Sequence, residues 1–262
     1  MNLAEARAMD KIEIFVGIVG RAMRPGPLIK HLSHELESVE LIYPFWAICE
    51  GSAVTLIDTG FDANRAASRL VVDHRDPASI LKEIAIEPSD VKRVIVSHLH
   101  WDHFSDPGRY TNAEFVIQRA DLEYFTGYGR SHPAAAVADA PSLDEIDQLR
   151  AQDRLRIVDG DSTITDSIRA YLVGGHTPGI QITVVCRNRR PAVIACDTAH
   201  LYWNFERRTP TSLINDYTAY MKGFDMIERL TGPSGRWFPG HDPRLLDQLQ
   251  AVTANVFRLP SF

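Results

Sequence analysis

The densest group of chemically reactive side chains directly follows the largely apolar run Val91–Val96, which predicts a buried strand. The group lies within six residues and consists of His98, His100, Asp102 and His103. Imidazole and carboxylate groups at the mouth of a buried strand are costly to desolvate unless a partner compensates them, and a metal ion is the simplest partner. His98 and His100 point the same way in an extended chain, whereas the other two follow a turn. One short segment could therefore supply ligands to two adjacent cations.

The alternative for any one of these imidazoles is an ordinary core histidine. The chain contains ten histidines in 262 residues, and chance rarely places three of them with an aspartate in six positions. Imidazole and carboxylate are common ligands of Zn²⁺ and of several other divalent ions. The segment therefore favours metal binding.

Composition argues against several classes of function. The net charge of −6 disfavours nucleic acid as a partner. No apolar run approaches the ~20 residues that a membrane span requires. The charged segment Met1–Lys11 lacks a signal-peptide pattern, so we expect a cytoplasmic protein without a membrane partner. Each cysteine lies in an apolar run, which predicts buried, reduced thiols at Cys49, Cys186 and Cys196.

Hydrophobic periodicity predicts strands and helices along a single domain, residues 1–262. The predicted strands are Lys11–Val19, Leu41–Glu50, Ala53–Asp58, Asp90–Val96, Ala113–Gln118, Arg154–Val158, Ile168–Val173, Gln181–Cys186, Ala192–Cys196 and Arg236–Phe238. The predicted helices are Asp62–Val72, Pro77–Ile84, Ala120–Phe125, Ser212–Leu230 and Pro243–Phe257. Arg21–Pro27 is predicted as a loop, and residues 126–150 as an insertion near the active site. By itself this order supports only a layered α/β or α+β fold.

The pattern His-x-His-x-Asp-His after a strand resembles the signature of the metallo-β-lactamase fold hydrolases. Four further motifs occur in that family's order: Val54–Gly60 ending in Asp-Thr-Gly, Gly174–Gly179 around His176, Ala192–Asp197, and Phe238–Asp242 around His241. Each of these four is weak alone, but the five together are specific. The resemblance implies a four-layered αβ/βα sandwich with a metal site at the edge between two mixed sheets.

The resemblance also implies a ligand set. One metal position would take His98, His100 and His176, the second would take Asp102, His103 and His241, and Asp197 would bridge them. Two divalent ions follow, with Zn²⁺ expected and Fe, Mn or Co left open, since the set contains no cysteine. Asp58 is expected to hold the turn or a ligand imidazole rather than a metal. The histidines that match no family ligand position are His31, His34, His74 and His132.

Within the family, the layout is most similar to the N-acyl homoserine lactonase subgroup. This implies that a metal-bridging hydroxide opens a lactone or a similar small cyclic ester, with Asp102 and Asp197 as catalytic candidates. The subgroup carries a Tyr three residues after the bridging Asp, whereas this chain has His200. A histidine can donate a hydrogen bond to a developing oxyanion, so His200 is a third catalytic candidate. Its alternative is an ordinary loop histidine.

Several other functions stay open from sequence. A phosphotriesterase, an arylesterase, a cyclic amide hydrolase or a thioesterase of the glyoxalase II type would fit the same fold. A di-iron redox protein and a non-catalytic metal-binding protein are alternatives of a different class. Aromatic residues near the predicted mouth favour an apolar or ring-containing small molecule as substrate. The apolar stretch Leu41–Trp46 is either a core strand or the interface of a homodimer.

Overall fold

Two mixed sheets form the centre of the protein. The computed structural model describes residues 12–34, 36–131, 137–187 and 190–260. The strands in these ranges are β1 Ile12–Arg24, β2 Val39–Glu50, β3 Ala53–Ile57, β4 Val91–Ile95, β5 Glu114–Gln118, β6 Leu155–Val158, β7 Ser162–Thr163, β8 Ile168–Leu172, β9 Gln181–Arg187, β10 Arg190–Cys196, β11 Arg236–Pro239, β12 Gln250–Ala251 and β13 Val256–Arg258. One sheet has the order β12-β13-β1-β2-β3-β4-β5-β6 and the other β11-β10-β9-β8-β7. Strands β3 to β6 run parallel, as do β10 and β11, while the remaining pairs are antiparallel.

Helices flank the sheets. In chain order they are α1 Gly26–Ile29, α2 Ala63–Ser68, α3 Pro77–Lys82, α4 Arg119–Thr126, α5 Ala140–Asp144, α6 Ile146–Ala151, α7 Tyr202–Glu206 and α8 Tyr217–Thr231. Four of them are capped by an aspartate side chain that accepts a hydrogen bond from a backbone N–H of the first helical turn. The capping residues are Asp62, Asp76, Asp139 and Asp216. None of the described helices has the length and apolar character needed to cross a bilayer.

The core lies in three layers of side chains. Between the sheets, Ile14, Trp46 and Ile95 of the larger sheet pack with Ile194 and Phe238 of the smaller one. On the outer face of the larger sheet, α2 to α6 contribute a second apolar cluster. Against the smaller sheet, α8 packs Tyr220, Phe224 and Ile227. This order of helix, sheet, sheet and helix confirms the predicted four-layered sandwich.

The strand ends explain where reactive side chains collect. Strands β3, β4, β10 and β11 end, respectively, just before Asp58, before the segment 97–103, before Asp197 and before His241. Because β3 pairs with β4 in parallel and β10 with β11 in parallel, each pair delivers its carboxyl ends to one edge. The site therefore lies where these edges of the two sheets meet.

The structure corrects three predictions on the elements. Pro243–Phe257 is not a helix: a 3₁₀ turn, Pro243–Gln248, is followed by β12 and β13, because β13 satisfies the open edge of β1. The strand β1 continues through Arg21–Arg24, predicted as loop, because it pairs with β2 along this length. The helix predicted from Ser212 begins only at Tyr217, after its Asp216 cap.

Two further expectations have mixed outcomes. Leu41–Trp46 lies inside β2 and is buried, so it is a core strand. Cys196 is buried and Cys49 half-buried, but Cys186 is exposed near the end of β9, so its predicted burial is wrong.

The region 126–150 contains α5 and part of α6, with residues 132–136 outside the described ranges. A single domain, an insertion at 126–150 and a homodimer stay predictions.

Candidate metal centre

The structure brings all seven predicted ligand residues and His200 together. They fall into three groups whose potential ligand atoms, one per residue, lie within 4.8 Å of one another. The groups are His98, His100, His176 and Asp197; Asp102, His103 and His241; and Asp197, His200 and His241. All eight side chains are buried except Asp102, which is half-buried. The first two groups match the two ligand sets that the family resemblance implies.

Asp197 lies between these two groups. Its Oδ1 is 2.9 Å from His241 Nε2 and 3.4 Å from His103 Nε2. Its Oδ2 is 3.3 Å from His176 Nε2 and 3.7 Å from His98 Nε2. One carboxylate oxygen therefore faces each group, which is the arrangement that a bridging ligand of a two-metal site requires.

Backbone carbonyls orient two of the rings. His176 Nδ1 donates to the Leu213 carbonyl and His241 Nδ1 donates to the Ile42 carbonyl, both at 2.9 Å. Each bond fixes the proton on Nδ1 and leaves Nε2 as the ligand atom. The Ile42 carbonyl belongs to β2, so a core strand of the larger sheet positions His241, which follows a strand of the smaller sheet.

Asp58 orients a third ring, as predicted. Its Oδ2 lies 2.7 Å from His103 Nδ1. It also accepts the backbone N–H of Ser97 at 2.7 Å and the Ser97 hydroxyl at 2.9 Å. The end of β3 is thereby tied to the segment that follows β4, and Asp58 belongs to none of the three groups of described residues that could hold a metal.

Sequence reasoning missed Asp121, the third residue of α4. This buried carboxylate accepts the backbone N–H of Leu99 at 3.0 Å and that of Gly179 at 2.5 Å. It therefore joins the segment that carries His98 and His100 to the turn that carries His176. Burial raises the pKa of Asp121 to about 6, against the opposing effect of its hydrogen bonds. An aspartate at the start of a helix resembles an ordinary helix-dipole residue, so its sequence position gave no signal of this role.

The residues present fit divalent cations. His98 Nε2, His103 Nε2 and Asp197 Oδ1 are buried and have no hydrogen-bond partner among the described residues. Leaving such atoms unpaired costs about 1–3 kcal/mol each. Coordination of cations by these atoms would remove that cost, and the nitrogen and oxygen donor set suits Zn²⁺ or a similar ion.

The electrostatics of the protein alone also favour a cation here. Burial and the imidazoles of His103 and His100 hold the pKa of His98 well below its ordinary value, so this ring is neutral at neutral pH. Burial would also lower the pKa of His103, but the carboxylates of Asp102, Asp197 and Asp58 raise it well above its ordinary value. The carboxylates therefore attract positive charge to the second group, and a metal ion would compete with a proton for it.

Two glycines permit the close packing of these loops. A side chain at Gly240 would clash with Asp197 Oδ1, so only glycine fits between the end of β11 and this carboxylate. Gly175 has a φ of +98° and lies against the backbone of Tyr220. A side chain there would displace α8 from the turn that presents His176.

Two cavities open onto the cluster. The cavity that we call the aromatic cavity has a volume of about 420 Å³ and is lined by Tyr124, Phe125, Pro178 and Leu213, with His100 and His176 at its base. The second, which we call the arginine cavity, has a volume of about 390 Å³ and exposes Asp102, Asp197, His200 and His241. Its other walls include Arg24, Tyr43 and Arg69, none of which the sequence singled out. The cluster is therefore reachable from both cavities, which share His100, Val137 and Leu213, and the arginines line only the second.

His200 lies in the arginine cavity, beside the bridging carboxylate. Its Nε2 is 3.0 Å from Asp197 Oδ2, and its Nδ1 is buried without a partner among the described residues. Burial lowers its pKa to about 4, although Asp197 acts in the opposite direction. His31 and His74 instead bond Ser212 and the Phe61 carbonyl, respectively, and His132 lies outside the described residues.

Comparison with known proteins places this geometry in a family. The sequence model of the metallo-beta-lactamase superfamily matches residues 42–243, which include every member of the cluster. The N-acyl homoserine lactonase AttM of Agrobacterium fabrum is 34% identical over 137 residues, covering 49% of this chain and 49% of its own. The chain thus spans about half the length of the curated relatives it matches.

Solved structures share the fold over most of the chain. A quorum-quenching N-acyl homoserine lactone lactonase superposes with a TM-score of 0.78 at 19% identity, covering 92% of this chain and 96% of its own. AidC, a dizinc quorum-quenching lactonase in complex with a product, superposes with a TM-score of 0.72 at 16% identity, covering 97% and 96%. The matched family, with its motifs in order and the His and Asp cluster between the two sheets, shows that this chain belongs to the metallo-beta-lactamase superfamily.

Proposed function

We propose that this chain is a dinuclear metal-dependent hydrolase that opens a lactone or a similar small cyclic ester. The observation that carries the proposal is Asp197, whose two oxygens face two separate groups of imidazole and carboxylate ligands. Hydrolysis of an ester needs an activated water and a polarised carbonyl, and two divalent cations supply both when bound. The similarity to N-acyl homoserine lactonases supports the choice of a lactone among the esters.

The ligands are assigned from the groups in the structure. We propose that His98, His100 and His176 hold one ion, and that Asp102, His103 and His241 hold the other, with Asp197 shared. Asp58, Ser97 and the carbonyls of Leu213 and Ile42 fix the rings from behind. Because these partners hold the rings in fixed orientations, the cluster needs little reorganisation to bind its ions.

We propose that His200 is a hydrogen-bond donor to the substrate oxygen that gains charge during the reaction. It lines the cavity beside Asp197, and because its Nδ1 is buried, the donor must be Nε2, which lies 3.0 Å from Asp197 Oδ2. A neutral imidazole can share this one N–H between Asp197 and the oxygen that gains charge as the ring opens. This is the role that the sequence departure from Tyr suggests for it. Asp102 would contribute in another way, since its carboxylate lines the arginine cavity and would be one of the groups that hold the second ion.

The aromatic cavity supplies the apolar part of the substrate site. Tyr124, Phe125 and Leu213 border His100 and His176, so an acyl chain or ring bound there would place its ester group at the cluster. A small molecule with one apolar end therefore fits the proposal, in agreement with the aromatic composition near the predicted mouth.

The test combines metal analysis with turnover. Purified protein is analysed for metal per chain, then assayed with a panel of γ- and δ-lactones before and after chelation. Two metals per chain with chelator-sensitive lactone hydrolysis would support the proposal. Metal binding with no turnover of any lactone would contradict it, and chromogenic phosphotriester and aryl ester substrates would then identify a different hydrolase of the same fold.

A further inference from the structure

The arginine cavity combines the metal-binding groups with two guanidinium groups. Arg24 from the end of β1 and Arg69 from the end of α2 line its wall, while Asp102, Asp197 and His241 line its base. The two carboxylates at the base belong to the metal cluster. A substrate in this cavity would therefore have cations at one end and guanidinium groups at the other.

Arg24 is held in place by neutral groups. Its Nε and Nη2 donate to the Tyr43 hydroxyl at 3.1 and 2.7 Å, and Nη2 also donates to the Arg69 carbonyl at 2.8 Å. Its guanidinium carbon lies 5.8 Å from the centre of the Tyr43 ring. These contacts fix the side chain without neutralising its charge.

Two other half-buried arginines have acidic partners, whereas Arg154, like Arg24, is held by neutral groups. Arg65 pairs with Asp62 and Asp139, and Arg109 pairs with Asp76 and Asp106. Among the described residues no carboxylate lies within ion-pair distance of Arg24. What sets Arg24 apart from Arg154 is its position: its uncompensated positive charge lies beside a centre that fits divalent cations, where an anionic group of a ligand could pair with it.

Arg69 extends the same wall. Its guanidinium carbon lies 5.4 Å from the centre of the Trp101 ring, which also lines the cavity. The Tyr43 hydroxyl accepts from Arg24, so its own proton is directed elsewhere and can serve a ligand in the cavity. The Nε–H and both Nη2–H groups of Arg24 already have acceptors, so its Nη1 is the nitrogen left to donate. Together with the Tyr43 hydroxyl and the Arg69 guanidinium it forms a site suited to a carboxylate.

We propose that Arg24, Arg69 and Tyr43 form an anion subsite, so that the substrate is a lactone or cyclic ester that carries a carboxylate. This inference rests on the proposed hydrolase function and narrows its substrate class. The ester group lies at the metal cluster, and the carboxylate lies against the arginines. An acyl homoserine lactone has no such charge, so the subsite distinguishes this chain's substrate from the one named for its relatives.

The test uses two substrates that differ only in charge. One is a γ-lactone that carries a carboxylate next to its ring oxygen, and the other is the matching carboxamide. In the metal-loaded protein we expect kcat/KM to favour the carboxylate by about tenfold or more, as for one charge-assisted hydrogen-bond pair. Arg24→Gln should lower kcat/KM for the carboxylate about tenfold, mainly through KM, and leave the carboxamide within about twofold. Arg69→Gln should act in the same direction.

Matched variants separate the subsite from general damage. Arg24→Lys keeps the charge but loses the planar fork, so we expect an intermediate KM. Arg93→Gln removes an arginine that pairs with Glu114 outside both cavities and should change neither substrate. Metal content and Tm of every variant show whether the fold and cluster persist. Arg69→Gln serves as the second test if Arg24→Gln does not fold.

A binding measurement keeps this inference separate from the proposed function. The ring-opened product, α-hydroxyglutarate, is titrated into wild-type and Arg24→Gln protein by calorimetry, without turnover. Failure of these two lactones and of the whole lactone panel to react would reject the hydrolase proposal, while about tenfold weaker binding of the product to the variant would still support the subsite. Equal kcat/KM for both lactones, with product binding unchanged by Arg24→Gln and Arg69→Gln, would overturn it. Preference for a phosphonate analogue over the carboxylate would also overturn it as stated.

Discussion

At the residue scale, we expect substitution of Asp197 to have the largest effect within the cluster, because its two carboxylate oxygens face two groups of side chains. Asp197→Asn keeps the volume but replaces one oxygen with an amide group that cannot coordinate a cation. We expect fewer metal ions per chain than in the wild type and a loss of activity of at least about a hundredfold. Metal analysis after gel filtration, with lactone turnover, checks this.

The matched control is Asp216→Asn at the cap of α8, since asparagine also caps helices well and Asp216 lies outside the cluster. It should keep the wild-type metal content. A full metal complement in Asp197→Asn with normal turnover would contradict a bridging role.

Substitution of His200 should lower kcat without changing the metal content. If it donates a hydrogen bond to the reacting oxygen, His200→Ala lowers kcat by about a hundredfold with an unchanged metal content. His200→Tyr places a hydroxyl donor at the same position, so it should recover part of kcat. Steady-state kinetics with metal analysis on both variants distinguishes the roles, because loss of metal in both would make His200 a ligand instead.

Sequence reasoning reached the cluster at this scale because each candidate ligand lies in a short motif. His98 and His100 follow a strand, and His176 and His241 lie beside glycines. Arg24, Arg69 and Tyr43 have no such pattern, since each comes from a different element and resembles an ordinary surface or core residue. Only the folded chain shows that they share a cavity.

At the scale of elements, Asp121 is expected to couple two ligand-bearing loops. Asp121→Asn leaves one oxygen to accept where two backbone N–H groups need a partner, so the amide group faces the donor of Leu99 or Gly179. We expect metal affinity to fall by about 10–100-fold, the usual effect of losing a group that orients ligands. Competition with a chromogenic chelator measures this.

The same variant should change how stability depends on pH. The folded-state pKa of Asp121 is raised to about 6, above its value in the unfolded chain. The group therefore stabilises the fold at pH values below its unfolded pKa, and this contribution is lost as the pH rises through about 6. We expect the stability advantage of wild type over Asp121→Asn, after chelation, to be larger at about pH 5 than at about pH 7, by roughly 1 kcal/mol.

Urea unfolding of both proteins at the two pH values measures this difference. An advantage that stays constant, or that grows toward neutral pH, would contradict the raised pKa of Asp121. Asp216→Asn again serves as the control, because its carboxylate caps an exposed helix end.

The elements themselves were predictable where periodicity and burial agree. The apolar runs in the sequence coincide with strands β2, β3, β4 and β10, and the bounds of these strands match the predictions closely. The region after Pro243 was predicted as one helix but forms a 3₁₀ turn and two short strands. Its conformation depends on pairing with β1, which lies at the far end of the sequence, so no local pattern could specify it.

At the scale of the whole molecule, the two sheets meet through the His and Asp cluster as well as through the apolar core. The segment after β4 extends from the larger sheet, whereas His176, Asp197 and His241 extend from elements of the smaller one. Any ion bound by His98, His100 and His176 therefore links the sheets. Binding to the folded chain but not to the unfolded chain stabilises it in proportion to the logarithm of the free ion concentration.

Chelation should therefore lower the Tm of the whole domain rather than release one loop. An ion at about 1,000 times its Kd contributes about 4 kcal/mol, which in a chain of this size corresponds to a shift of about 5–15 °C. Scanning calorimetry before and after chelation measures the shift, and readdition of Zn²⁺ should reverse it. In Asp197→Asn the same treatment should move Tm much less, because the carboxylate that faces both groups is gone. A wild-type Tm that does not change when the ions leave would mean that the core alone joins the sheets, and that the cluster adds chemistry without stability.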